Sequence, residues 1–289
     1  MRVAVVSDLH GNLAATHAVF ADIDQIDGGV DSVVCLGDIV GHASHPNEVI
    51  EILRDRDVSA IRGNYDELII GLRDTPGVDY ADKTHELEDL DAVDWTRNQL
   101  TEENLRYLKK LPADARVEVT RGGHPTGRIR ESEPEAKQVK KGVLSNMLLG
   151  NVLTSMGERP QRLRPRRLLF VHGSPRDSIE NIYPYAAQSI LQTIASRAEA
   201  DVIAHGHTHQ PYERTVGGVT FVGAGSVGWP TMAGLAGFVV IECINFELTA
   251  EFRTVEYDAE REARAAELAG LPDGVSELLR RGAPTGIPV

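Results

Sequence analysis

Residues 201–209 read DVIAHGHTH. The run 201–204 has the length and character of a buried strand, and three of the chain's ten histidines occupy alternate positions directly after it. Open α/β sheets present their binding residues just past the carboxyl ends of strands, so the rest of the chain can be searched for the same arrangement. It recurs four times. Short apolar runs at 2–7, 32–36, 58–61 and 167–171 end in SDLHGN, LGD, RGNYD and VHGSP, which supply Asp8, His10, Asn12, Asp38, Asn64 and His172. A lone aspartate after a strand is usually a helix cap and a lone histidine usually a packed or surface residue. Five strand ends with one chemistry outweigh that reading.

Between these runs, 12–27, 46–56 and 65–72 show helical spacing, with Asn12, Pro46 and Asn47 at the starts, so the chain opens as a βαβαβ unit. Residues 82–111 read as two acid-rich helices lying outside the core, the second capped by Thr101, and 186–198 reads as a helix. Runs at 211–216, 219–223, 236–243 and 247–255 read as antiparallel hairpins, which predicts a mixed sheet or two packed sheets. Residues 114–166, rich in Gly and Pro and strongly basic, read as an inserted loop or hairpin within a domain spanning 1–257; residues 258–289 read as a C-terminal helix and tail.

Composition narrows the partners. With 289 residues, 42% of them hydrophobic, the chain can bury a substantial core, while a net charge of −13 argues against a nucleic-acid backbone or an anionic membrane as the main partner. Cys35 and Cys243 fall in apolar runs and read as buried thiols of a reducing compartment. The N-terminus turns polar too early for a signal peptide, and no apolar run approaches membrane-spanning length, so a cytoplasmic location is expected.

Carboxylate and imidazole together suit Mn, Fe, Zn, Co or Ni better than Ca. An Asp-x-His pair can aim both side chains one way if the backbone bends at the strand end, and a carboxylate from a second strand can bridge two cations. The ordered series D-x-H-G-N, G-D, G-N-x-D, H-G and G-H-T-H resembles the calcineurin-like metallophosphoesterase superfamily. Within it, LGDIVGHASHPNEVIEIL, HGSP and HGHTHQP followed by VGAGSVGWP resemble the small bacterial and archaeal phosphodiesterases.

That resemblance implies a four-layer α/β/β/α sandwich of two mixed sheets and two divalent metal ions per chain, manganese first among Mn, Fe, Zn, Ni and Co. It assigns one ion to Asp8, His10 and His209 and the other to Asn64, His172 and His207, with Asp38 bridging, and leaves His205 a structural role. The implied reaction is hydrolysis of a small phosphodiester or phosphomonoester by a hydroxide shared between the ions, with Asp38, Asn64, Tyr65 and His172 as catalytic residues. Tyr65 stands where relatives often carry a histidine that protonates the leaving group. A phenol is a weaker acid than imidazolium, so His42 and His45 of GDIVGHASHP are alternative donors. Arg62 reads as a substrate contact or a strand-end salt bridge. The G-D motif lacks the Asp-Arg-Gly of protein phosphatases and dinucleoside polyphosphate hydrolases, which argues against those activities. A non-catalytic scaffold on this fold should have missing ligands, and all seven positions are filled.

Overall fold

A computed structural model describes residues 1–80, 82–125, 130–131, 165–229 and 232–282. Two mixed sheets pack face to face with helices outside them. The first has the order β11-β10-β1-β2-β3, built from β1 (Arg2–Val6), β2 (Ser32–Cys35), β3 (Ser59–Ala60), β10 (Leu235–Ile244) and β11 (Glu247–Glu256). The second has the order β5-β4-β6-β7-β9-β8, built from β4 (Asp114–Val119), β5 (Arg130–Glu131), β6 (Arg166–Val171), β7 (Val202–His205), β8 (Pro211–Val216) and β9 (Val219–Ala224). β1, β2 and β3 run parallel, as do β6, β7 and β9; β10 and β4 join them antiparallel.

The period of two along each strand makes the layers. Val3 and Val5 of β1 face the second sheet, where they meet Val117, Phe170, Ala204 and Val222. Ala4 and Val6 face the other way, onto α1 (Leu13–Asp24), α2 (Pro46–Asp55), α3 (Asn64–Ile69) and α5 (Glu102–Leu108). On the far side, Leu169, Val171, Ile203 and Phe221 pack on α6 (Gln188–Ala198). Cys35 and Cys243 are both buried and free, and they lie in different core clusters.

Three elements differ from the sequence reading. Asp114–Val119, read as the start of an insertion, is strand β4; Ala115, Val117 and Val119 alternate with Arg116 and Glu118, and the buried set faces the other sheet. The remainder of the expected insertion, 126–129 and 132–164, lies outside the described residues, as does 283–289 of the tail. The C-terminal segment forms two helices, α7 (Ala259–Leu268) and α8 (Asp273–Arg281), because Gly270, at φ 76°, and Pro272 interrupt the helical run. Finally, α4 (Lys83–Gln99) is not peripheral: it buries Asp89, Ala92, Val93 and Thr96 along one stripe. Among the described residues no helix is long and apolar enough to cross a membrane.

Candidate metal centre

The carboxyl ends of β1, β2 and β3 and those of β6 and β7 meet at one rim of the sandwich. Backbone hydrogen bonds fasten the segments there: Asp8 N–H donates to Gly37 O at 3.0 Å, His10 N–H to Asp38 O at 2.9 Å, Gly206 N–H to His172 O at 2.8 Å and Gly228 N–H to Asp8 O at 2.8 Å. The sheets are also joined through a ligand-type side chain, since His207 N–H points at the Asp8 carboxylate oxygens, 3.2 and 3.3 Å away. Glycine is required where these segments touch. A Cβ at Gly63 would stand 2.1 Å from Asp38 Oδ1, and one at Gly206 would stand 1.9 Å from Ser7 Oγ.

All seven side chains singled out in the sequence converge. The ligand atoms of Asp8, His10 and His209 lie within 4.8 Å of one another, and so do those of Asp38, His172 and His207. Asp38 Oδ2 is 3.2 Å from His172 Nε2 and 3.9 Å from His10 Nε2, so it stands between the two groups. Asn64 joins the second group, its Oδ1 lying 2.7 Å from His172 Nε2 while its Nδ2 donates to Pro76 O at 2.9 Å, which fixes which end of the amide faces the centre.

Backbone strain is concentrated here. Of the nine non-glycine residues with positive φ among the described residues, five are Asp8, His10, Asp38, His207 and His209. Each costs about 1–2 kcal/mol relative to an ordinary conformation, and such strain collects where the chain must aim a side chain for function.

The electrostatics fit cationic occupants. His10 is fully buried, yet neither ring nitrogen has a hydrogen-bond partner among the described residues. Burial, and then the neighbouring imidazoles, hold it well below the ordinary histidine value, so it is a neutral donor with an unshared pair. Burial likewise pulls His207 down to about 3, with the Ile179 backbone hydrogen-bonded to it. His172 is opposite in sign: burial disfavours its charge, but Asp38 and Asp8 outweigh this and push it up to about 9. Its Nδ1 lies 2.9 Å from Leu36 O, so the proton held by the carboxylates is on Nε2, where a metal ion would stand in its place. The donor set and its unmet hydrogen bonds therefore fit two divalent ions.

The remaining sequence candidates separate. Tyr65 is buried; its N–H donates to Asp38 Oδ1 at 2.8 Å and its hydroxyl to Asp89, with both oxygens at 3.1 Å. Burial first, then Asp89, raises its phenol well above the ordinary value. His42 lies between Tyr65 and Trp229, its ring 4.6 Å from that of His10 and 4.3 Å from the indole, with Nδ1 3.3 Å from Asp89 Oδ1 and Nε2 unpartnered among the described residues. His45 lies elsewhere, with Nδ1 3.0 Å from Glu262 Oε1 on α7. Arg62 is a salt bridge, donating to Glu67 at 3.0 Å and to Leu111 O at 2.7 Å. His205 Nε2 meets the Tyr212 hydroxyl at 2.9 Å, a structural tie. Asp89 and Trp229 were not singled out in the sequence. Asp89 could have been found, since it begins the buried stripe completed by Ala92, Val93 and Thr96, at the spacing of one helix face.

Fold and centre together define an α/β two-sheet framework with two candidate metal-ligand clusters at one rim. The family model described as the calcineurin-like phosphoesterase superfamily domain matches residues 1–245, and the chain belongs to that superfamily. A metallophosphoesterase from Sphaerobacter thermophilus superposes with a TM-score of 0.64 at 25% identity, covering 98% of this chain and 100% of that one. A hypothetical protein from Pyrococcus horikoshii superposes with a TM-score of 0.70 at 22% identity over 98% and 99% of the two chains. An uncharacterized protein of Methanocaldococcus jannaschii is 38% identical over 110 residues, which are 38% of this chain and 42% of that protein's length.

Proposed function

We propose that this chain hydrolyses small phosphate esters, phosphodiesters first and monoesters second, with two divalent ions, manganese first among Mn, Fe, Zn, Ni and Co. Asp8, His10 and His209 would hold one ion and Asn64, His172 and His207 the other, with Asp38 serving both. The observation that carries this reading is the pair of three-residue clusters at one rim, together with a buried His10 whose two nitrogens have no partner among the described residues. Bound there, two such ions would acidify a water and neutralise the phosphoryl oxygens that gain charge.

The chain's own residues supply placement and protons. Tyr65 N–H and the tether of Asn64 to Pro76 O keep Asp38 and Asn64 aimed before substrate arrives. In the reaction a water oxygen bonds to phosphorus, the ester P–O bond breaks, and the departing oxygen takes the bonding pair and needs a proton. We assign that delivery to His42 over Tyr65, because the Tyr65 hydroxyl is committed to Asp89 whereas His42 Nε2 is unpartnered among the described residues. Burial lowers His42 on balance, with Asp89 opposing it; an incoming phosphate anion would act with Asp89 to favour the charged ring.

The test is hydrolysis of bis(p-nitrophenyl) phosphate and p-nitrophenyl phosphate by metal-stripped protein with each ion restored, beside Asn64→Ala. Turnover that depends on the ion and falls at least about tenfold in the variant is expected. Two ions bound per chain without turnover would sink the hydrolase reading. His42→Gln should slow alkyl esters about a hundredfold and p-nitrophenyl esters far less; equal losses on both would remove His42 as the donor.

A further inference from the structure

Beside the second cluster, the segment Gly173–Ala187 runs from His172 to α6 and displays two tyrosines that the chemistry above does not use. The rings of Tyr183 and Tyr185 lie parallel, 5.0 Å apart with 7° between their planes, and Tyr185 is 69% exposed. The segment that carries them is pinned. The Tyr212 hydroxyl donates to Ile182 O at 2.8 Å, and Arg214 Nη1 donates to Pro184 O at 2.9 Å and to Ala186 O at 2.7 Å. An exposed aromatic ring on a pinned backbone, backed by a second ring, is a prepaid stacking surface: a ligand that lands on it orders little that was free.

Its position ties it to the centre. Ile179 of the same segment hydrogen-bonds His207 through its backbone, and its side chain packs so closely on Gly77 that a Cβ there would stand 2.6 Å away. The segment containing Gly77 also gives Pro76 O to Asn64, and its Asp79 is close enough to Tyr183 to help raise the phenol, after burial and Tyr185. The two segments that border the second cluster therefore also frame the tyrosine pair.

Charge is consistent with an aromatic surface here. Among the described residues, Arg62 and Arg73 pair with Glu67, Arg73 also with Asp177, and Arg176 with Glu180, while Arg214 donates to the segment's own carbonyls. In a chain of net charge −13, an uncharged part of the substrate can add binding strength beyond the phosphoryl group without long-range repulsion. We propose that Tyr185, backed by Tyr183, is a specificity-determining residue that stacks a flat aromatic group carried by the ester, so that the preferred substrates are phosphate esters bearing a planar ring system. This rests on the phosphoesterase reading and adds the substrate class to it.

The test is isothermal titration of the manganese-loaded protein with inorganic phosphate, methyl phosphate, phenyl phosphate and adenosine monophosphate. Wild type should bind one or both aromatic monoesters about tenfold more tightly than methyl phosphate. Tyr185→Ala should erase that difference while leaving inorganic phosphate unchanged, and Tyr185→Phe should keep it. Preference for phenyl phosphate alone would assign a small aryl group, and preference for adenosine monophosphate a nucleoside. An aromatic preference that survives in Tyr185→Ala, or none in wild type, overturns the stacking role while phosphate binding leaves the phosphoesterase reading standing. Failure of inorganic phosphate to bind overturns both.

Discussion

The two candidate ligand clusters are built by different means. In the first, Asp8, His10 and His209 all sit in the left-handed backbone region, and His10 is fixed through its main chain, donating to Asp38 O and accepting from Ala43 N–H at 2.7 Å, while its ring has no polar partner among the described residues. In the second, His207 shares that backbone region, but Asn64 and His172 do not have positive φ; their side chains are held by Pro76 O, Leu36 O and Asp38. All three residues of the first cluster are aimed by strained backbone, whereas in the second two of the three are aimed by side-chain hydrogen bonds. The first should therefore gain more from its ion, and the second should be formed without one.

Asp38 is where the two constructions meet, and its removal has the largest expected effect. Asp38→Ala should lower kcat/KM by about a thousandfold or more and reduce bound metal measured by elemental analysis. Should one cluster keep its ion at full affinity, the clusters are independent and the shared carboxylate is not shared. The next effect separates the clusters directly. In metal-free protein, His172→Leu strands Asp38 and Leu36 O and should cost about 3 kcal/mol or more in urea unfolding, whereas His10→Leu removes unmet nitrogens and should cost about 1 kcal/mol or less. Equal losses would erase the distinction.

Protons give a third contrast. His172 keeps its proton below about 9, so an ion entering the second cluster must displace it. Affinity there should rise about tenfold per pH unit below that value and then level off. His10 and His207 are held low and add no such slope near neutrality. Titrations in buffers of different ionisation enthalpy should find one proton released for the pair of ions at pH 7; none released would place the His172 proton elsewhere.

The sequence made the candidate ligands legible because each follows a strand end, where the motif is local. Asp8, His10, Asp38, Asn64, His172, His207 and His209 were all named from such motifs, and they converge. The residues around them were less legible because what they do depends on distant partners. Asp89 looks like one more acid on a polar helix until α4 is seen to bury it against Tyr65 and His42. Strand β4 carried its alternation in DARVEV, but the Gly, Pro and Arg that follow hid it. His42 and His45, three positions apart on one loop, turn their side chains to different surroundings, and no local pattern records that.

His45 provides the smallest effect and a check on the backbone-built cluster. Its N–H donates to Gly11 O at 3.1 Å, beside His10, and its ring anchors that loop to buried Glu262, which also accepts from Ala14 N–H at 3.2 Å in the first turn of α1. Hydrogen bonding to Glu262 raises His45 above the ordinary value; burial opposes this, Glu262 and Glu48 add to it, and Arg261 works against it. A group whose folded pKa is raised contributes its stability fully below the unfolded value, near ~6.5, and loses it as pH rises through the folded one. His45→Ala should therefore cost about 1 kcal/mol at pH 6 and less at pH 9, read from urea midpoints. Because the loop it anchors passes His10, the same variant should weaken the first cluster's ion at pH 6 more than the second's. A loss of stability that is constant with pH would mean that His45 supports the loop by packing alone, and that the backbone-built cluster does not depend on this ion pair.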